Sequence, residues 1–195
     1  MRKESNLRIL ALTPSRWHHL ERLFGERGAC GGCWCMWWRI KRSQWEEQKG
    51  EKNKHAFRDY VDSGGRPGLL AFDGREPVGW IAVEPREKYS VLGRSRTLKP
   101  VDDEKVWSIT CFFIRRDYRR RGVGRALVRG AIDYVARKTG KLIEAYPVEP
   151  KSEGGLPDAF AWHGVASMFT AEGFVEVARR SPTRPIVRYL IREET

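Results

Sequence analysis

A chain of 195 residues is the size of one ordinary domain, and 41% hydrophobic residues with eight tryptophans exclude a disordered protein. No apolar run nears the ~20 residues of a membrane-spanning helix, and residues 1–6 lead into a short apolar stretch without a small-residue cleavage site, so a cytoplasmic location is expected. Thirty-seven Lys and Arg against 25 acidic residues leave a net charge of +12, which implies an anionic partner or a solubilising surface.

Residues 1–6 read as a tail, and residues 7–195 as a single domain without repeat, low-complexity tract or dividing linker. Loose alternation over 7–12 predicts a first strand. Thr13 and Pro14 mark a helix start, with a hydroxyl for the N-cap and a proline in the first turn; Trp17, Leu20 and Phe24 then share one helical face. Gly28, Gly31 and Gly32 end that helix. Beyond an aromatic stretch over 34–38, residues 44–62 predict one polar, partly amphipathic helix carrying Trp45, Phe57, Tyr60 and Val61. Strands over 69–72 and 78–84 flank Asp73-Gly74, a strong hairpin signal. Residues 85–105, bounded by Pro85 and Pro100, predict a surface loop or short helix.

Residues 106–114 give the clearest strand, with Trp107, Ile109, Cys111 and Phe113 on one face and Phe112 and Ile114 on the other. A helix follows over 122–139, with Val123, Leu127, Ala131 and Val135 spaced by four and Gly140 as its stop. Residues 142–148 predict a strand, 157–172 a helix, and 174–179 with 186–191 a closing strand pair.

The chemistry concentrates where the strand over 106–114 runs through six arginines between Arg115 and Arg125 into the helix start Arg119-x-x-Gly122-x-Gly124. Glycines there let a ligand approach the backbone, and the first amides of the helix point toward an anion such as a diphosphate. A dinucleotide fingerprint would need three glycines and a later acid, and a P-loop Gly-Lys-Ser/Thr; neither is present.

The run Ile114-Arg-Arg-Asp-Tyr118-Arg119-Arg-Arg-Gly122-Val-Gly124-Arg-Ala-Leu127 resembles the coenzyme A signature of the GNAT acyltransferases, and Met168-Phe-Thr-Ala-Glu-Gly173-Phe174 resembles that family's helix ending in Gly-Phe. The order of strands and helices agrees over nearly the whole chain. The resemblance implies an α+β fold, a central mixed but mostly antiparallel twisted sheet of about six to seven strands flanked by about four helices. It implies acetyl-CoA as co-substrate and an N-acetyltransferase that acts on a primary amine by direct attack in a ternary complex. Backbone groups of Phe112, Phe113 and Ile114 would meet the pantetheine arm, and Arg119, Arg120, Arg121, Gly122, Val123, Gly124 and Arg125 would cradle the diphosphate. Ser167 falls where family members often place a polar contact to the coenzyme.

An amine acceptor must lose a proton before attack, so a carboxylate near the cleft is the economical base. Glu84, Glu149 and Glu144 are candidates, with Glu144 ranked first. The family's usual tyrosine general acid is replaced by Phe169, leaving solvent, Tyr146 or His163 as substitutes, or else a non-catalytic acyl-CoA sensor. The segment Cys30-Gly-Gly-Cys33-Trp34-Cys35-Met36-Trp37-Trp38-Arg39 lies where the resemblance places the acceptor site. Trp34, Trp37 and Trp38 with Arg39 would form an acceptor pocket, rings for an apolar or cationic body and a guanidinium for a carboxylate. Zinc at Cys30, Cys33 and Cys35 would need a fourth ligand from His18, His19, His55 or Cys111, and no metal is expected. A nucleic-acid module is the competing reading of the arginine run, though no nucleic-acid motif accompanies it. A monomer or homodimer without a membrane partner is expected.

Overall fold

The computed structural model describes residues 7–149 and 162–192. Among these, the period-two runs form β1 (Arg8–Ala11), β2 (Gly68–Asp73), β3 (Glu76–Pro85), β4 (Trp107–Ile114), β5 (Leu142–Ala145), β6 (Val175–Arg179) and β7 (Pro185–Leu190). They make one sheet in the order β1-β2-β3-β4-β5-β7-β6, antiparallel except for the pair β4 and β5. A parallel pair needs a crossover, and α4 (Val123–Arg137) supplies it. The architecture is the expected α+β, mixed and mostly antiparallel.

Each face of the sheet has its own core. On one side Leu127, Val128, Ala131 and Val135 of α4 pack against Leu69, Ile81, Val83 and Ile109. On the other, α1 (Trp17–Phe24), α2 (Arg42–Glu47) and α3 (Glu51–Asp62) bring Trp17, Leu20, Trp45, Phe57 and Val61 onto Leu70, Phe72 and Trp80. Because β2 and β3 are covered on both faces, they read as nearly continuous apolar runs. A third, smaller cluster joins Tyr89, Leu92 and Leu98 of the loop after β3 to Tyr146 and Ile186.

Several elements differ from their sequence pattern. The single helix expected over 44–62 is split: Gly50 has φ 83°, and its amide bonds to Gly32 O at 3.0 Å, tying the break to the glycine turn after α1. In β4, Ala82 pairs with Cys111 but Val83 with Ile109, so Thr110 is an extra residue, a bulge. The bulge reverses the alternation. Trp107 and Ile109 share the α4 face with Phe112 and Ile114, whereas Cys111 and Phe113 face the other core, correcting the expected set of Trp107, Ile109, Cys111 and Phe113 on one face.

The left-handed residue after α4 is Thr139 (φ 56°) rather than Gly140. Gly140 is needed for space, since a Cβ there would lie 2.6 Å from the Trp107 indole nitrogen. The helix expected over 157–172 is the short α5 (Ala166–Thr170), preceded by a turn at 162–163; its expected residues 157–161 lie outside the described residues. The first helix begins as a 3₁₀ turn, Pro14–Arg16, and the Thr13 hydroxyl pairs with Ser15 rather than capping an amide.

Candidate active site

β4 and β5 are paired only where Trp107, Ser108 and Ile109 face Ile143, Glu144 and Ala145. The chain then leaves β4, and Val148 bridges Val165, its amide donating to Gly164 O at 3.0 Å. β4 itself continues to Ile114 on its β3 side. Past Ile109 it has no paired strand on its β5 side among the described residues. A cleft of about 270 Å³ opens there, lined by Phe112, Phe113, Ile114, Arg119, Arg120, Trp162, Val165 and Met168.

At one end of this cleft lies the head of α4. Arg120 (φ 57°) and Gly122 (φ 82°) both take the left-handed conformation, which curls the loop tightly into α4. The first helical bond is Ala126 N to Gly122 O, 3.0 Å, and no side-chain hydrogen bond caps the helix. The amides of Val123, Gly124 and Arg125 are therefore at the positive end of a 15-residue helix without intrahelical acceptors. A Cβ at Gly122 would meet nothing within 4 Å, while one at Gly124 would lie 2.6 Å from Met168 Sδ. Such a concavity fits a diphosphate.

The arginines of this loop also brace it. Arg115 makes a paired contact to Asp117 at 2.7 and 2.8 Å. Arg119 Nε donates to Ile114 O at 3.2 Å, and Arg121 to Asp117 O at 3.1 Å. Arg125 and Arg129 both hold Glu172, next to α5. Burial works to raise the Glu172 carboxyl, but the bonds from Arg129 and Arg125 outweigh it and hold the group below the usual carboxylate range. The Val123 side chain is core rather than cradle, so only its amide faces the cleft. Ser167 is exposed; its neighbour Met168 takes the lining position.

The expected base and acid are placed elsewhere. Glu144 and Tyr146 are each 1% exposed. Arg86 Nη1 donates to Glu144 Oε1 at 2.8 Å, Tyr146 OH to the same oxygen at 2.7 Å, and Arg188 Nε to Oε2 at 2.9 Å. Arg188 in turn grips Asp102 at 2.6 and 2.8 Å. Burial and the Glu144 charge push the Tyr146 phenol well above its ordinary value. Glu84 is buried against Arg39 at 2.6 Å and accepts from Tyr60 OH, and Glu149 pairs with Arg179. All three candidate carboxylates are thus held by guanidinium groups. Phe169 is fully buried between Phe112 and Phe174, so the position given to a tyrosine by resemblance offers only packing.

What stands at the fork instead is His163. Its Nδ1 lies 3.1 Å from the carbonyl of the bulge residue Thr110, and since a carbonyl only accepts, Nδ1 carries the proton. Burial first, and then the Arg184 charge, push the imidazole well below its ordinary value despite the Thr110 bond. His163 is therefore neutral at neutral pH, with Nε2 as a proton acceptor. Trp162 stacks on it at 3.6 Å and lines the cleft.

A second cavity of about 200 Å³ adjoins the first, sharing Cys30, Phe112, Phe113 and Trp162 with it. It is walled by Phe24, Trp37, Trp45 and all four cysteines, Cys30, Cys33, Cys35 and Cys111, and no charged side chain lines it. Of the expected acceptor residues, Trp37 alone lines this cavity. Trp34 is buried in a stack on Trp17, and Trp38 packs beside His163. Arg39 is enclosed by Glu84 and the rings of Tyr89, Tyr60 and Phe57, so its guanidinium is not offered to a carboxylate. Phe24, Trp45 and Trp162 were missed because they come from three separate segments. Among the described residues no group of three or more His, Cys, Asp or Glu side chains is arranged to hold a metal ion. No helix among them is long and apolar enough to cross a membrane.

The sequence profile described as the Acetyltransferase (GNAT) family matches residues 34–152. Among solved structures, the chain is similar to a GNAT-family acetyltransferase from Listeria monocytogenes, with TM-score 0.57 and 8% identity over 94% of both chains. It is similar to yncA of Salmonella typhimurium with its cofactor acetyl-CoA, with TM-score 0.56 and 11% identity over 96% of this chain and 95% of that one. A third similar structure is the PaiA N-acetyltransferase of Thermoplasma acidophilum in complex with coenzyme A, TM-score 0.53, 14% identity, covering 95% of this chain and 99% of that one. At these identities the likeness is one of fold. No curated protein matches the chain.

Proposed function

The chain belongs to the acetyltransferase (GNAT) family, and from that membership we propose that it transfers the acetyl group of acetyl-CoA to a primary amine, by direct attack in a ternary complex. The observation that carries this reading is the uncapped head of α4 set beside the β4 edge that, among the described residues, has no paired strand past Ile109. Backbone groups of Phe112 and Ile114 would pair with the pantetheine arm as an added strand does. The amides from Arg119 to Arg125 would hold the diphosphate, with the basic loop adding attraction.

The chain's own groups then do three things. A backbone N–H at the bulge of β4 would stabilise the developing charge on the thioester oxygen. His163 Nε2, buried just behind Trp162 and outside the lining of both cavities, would take the amine proton through water, in place of the arginine-bound Glu144. The departing thiol, with an ordinary pKa of about 8.5, needs little help, which fits the loss of a tyrosine at Phe169. The charge-free, aromatic wall of the second cavity suits an acceptor amine carried on an apolar or aromatic body.

Calorimetry with acetyl-CoA and free-thiol release against a panel of amines test this directly. Gly122→Trp projects into open space at a cost of about 1 kcal/mol for the left-handed backbone. It is expected to leave the protein folded and, because the indole would cover the amides at the head of α4, to weaken acetyl-CoA binding by at least ~100-fold; unchanged affinity removes the cofactor assignment. His163→Gln is expected to lower kcat by about 10²–10⁴ with little change in the KM for acetyl-CoA. An unchanged kcat moves proton transfer to another group.

A further inference from the structure

We propose that Cys35 is a self-acylation site, a thiol that takes the acyl group of an acyl-CoA thioester bound in the adjoining cleft when no amine acceptor is present. This rests on the acetyl-CoA reading above. The four cysteines of the chain come from two distant segments, yet all line one cavity that adjoins the cleft, the two sharing Cys30, Phe112, Phe113 and Trp162 as walls. Cys111 also immediately precedes Phe112, whose backbone is placed along the pantetheine arm. The thiols therefore collect beside the position where a thioester would end.

Cys35 is set apart from the other three by its contacts. The Trp80 indole nitrogen donates to its sulfur at 2.9 Å, from a ring that is fully buried and cannot turn to water. The neighbouring Cys111 thiol and the Arg39 guanidinium favour negative charge on the same sulfur. Together, with Cys111 the largest contributor and burial opposing, they hold the Cys35 thiol below its ordinary range. Burial and the Cys35 charge push Cys33 up to about 11, and Cys30 and Cys111 are raised as well. Of the four thiols, Cys35 is thus the one whose surroundings favour the nucleophilic form, while those of Cys30, Cys33 and Cys111 oppose it. Trp34 (φ 44°) and Cys35 (φ 56°) also occupy consecutive left-handed conformations, held there by the Trp34 stack on Trp17.

The step exchanges one thioester for another. The Cys35 sulfur attacks the acyl carbonyl, a C–S bond to Cys35 forms, the C–S bond to coenzyme A breaks, and the proton given up by Cys35 ends on the departing coenzyme A sulfur. No oxidant or further reactant is needed. Attack by an amine or thiol later returns Cys35. While it lasts, the acyl group occupies the cavity that the acceptor would use.

The test incubates the full chain with acetyl-CoA bearing an isotopically labelled acetyl group, without amine, followed by acid quenching, intact mass measurement and peptide mapping. The expected result is about one label per chain, assigned to Cys35 by fragmentation of the peptide that also carries Cys30 and Cys33, removed by neutral hydroxylamine and matched by free coenzyme A thiol. Cys35→Ala is expected to lose the label while its calorimetric affinity for acetyl-CoA stays within about twofold; the wild-type mapping stands without that variant. Normal acetyl-CoA affinity with no hydroxylamine-labile label, or with the label on Cys30, overturns the self-acylation site and leaves the transferase reading intact. Absence of acetyl-CoA affinity in the wild type overturns both.

Discussion

Glu144 shows how an ionisable side chain acquires a structural role. Its two oxygens accept from Arg86 and Arg188, 58 and 44 residues away in sequence, inside a core where the side chain is 1% exposed. Removing the carboxylate charge would leave Arg86 without an anionic partner in poor solvent, while Arg188 would keep only Asp102. Glu144→Gln is therefore expected to destabilise the fold by about 3 kcal/mol in urea denaturation. An unchanged midpoint together with a large fall in kcat would instead return Glu144 to the role of base. The sequence marked Glu144 as a carboxylate on the strand expected over 142–148 but could not reveal its arginines, because pairing across a sheet is set by register. Gly122 and Gly124 were legible for the opposite reason: their spacing within one turn is itself the feature from which a diphosphate cradle is proposed.

Among the elements, α4 and α5 are joined through Glu172, which draws Arg125 and Arg129 of the long helix toward the wall that carries Met168. Because the folded carboxyl is held below its ordinary range, its contribution to stability is complete above the unfolded value, about 4.3. It is lost as pH falls through the folded value. The stability of Glu172→Gln is expected to fall less steeply than that of the wild type below about pH 5. Equal slopes in acid denaturation would deny the pairing a thermodynamic role. The helices also show what periodicity cannot read. Trp45, Phe57 and Val61 all reach one core, so the apolar pattern continues across Gly50 although the helix does not. The aromatic segment after α1 was conspicuous by composition, but its fold turns on left-handed residues at Ala29, Trp34 and Cys35, for which side-chain type gave no warning.

For the whole molecule, the succession of strands and helices along the chain was legible from the hairpin signal, the period-two runs and the two signature motifs, each of them local. The Thr110 bulge, the fork and the thiol-lined cavity depend on contacts between distant segments and emerged only in three dimensions. The parallel ladder carries a mechanical consequence. With only three residue pairs between β4 and β5, the sheet amounts to two antiparallel plates, β1 to β4 and β5 to β6, stitched along a short seam. A ligand laid into the open end of that seam would rivet the plates together. Amide exchange at Ser108, Ile109, Glu144 and Ala145 should then slow on acetyl-CoA addition more than exchange at the far edge in β1. The weakest line across the sheet would thereby become the part most stiffened by loading.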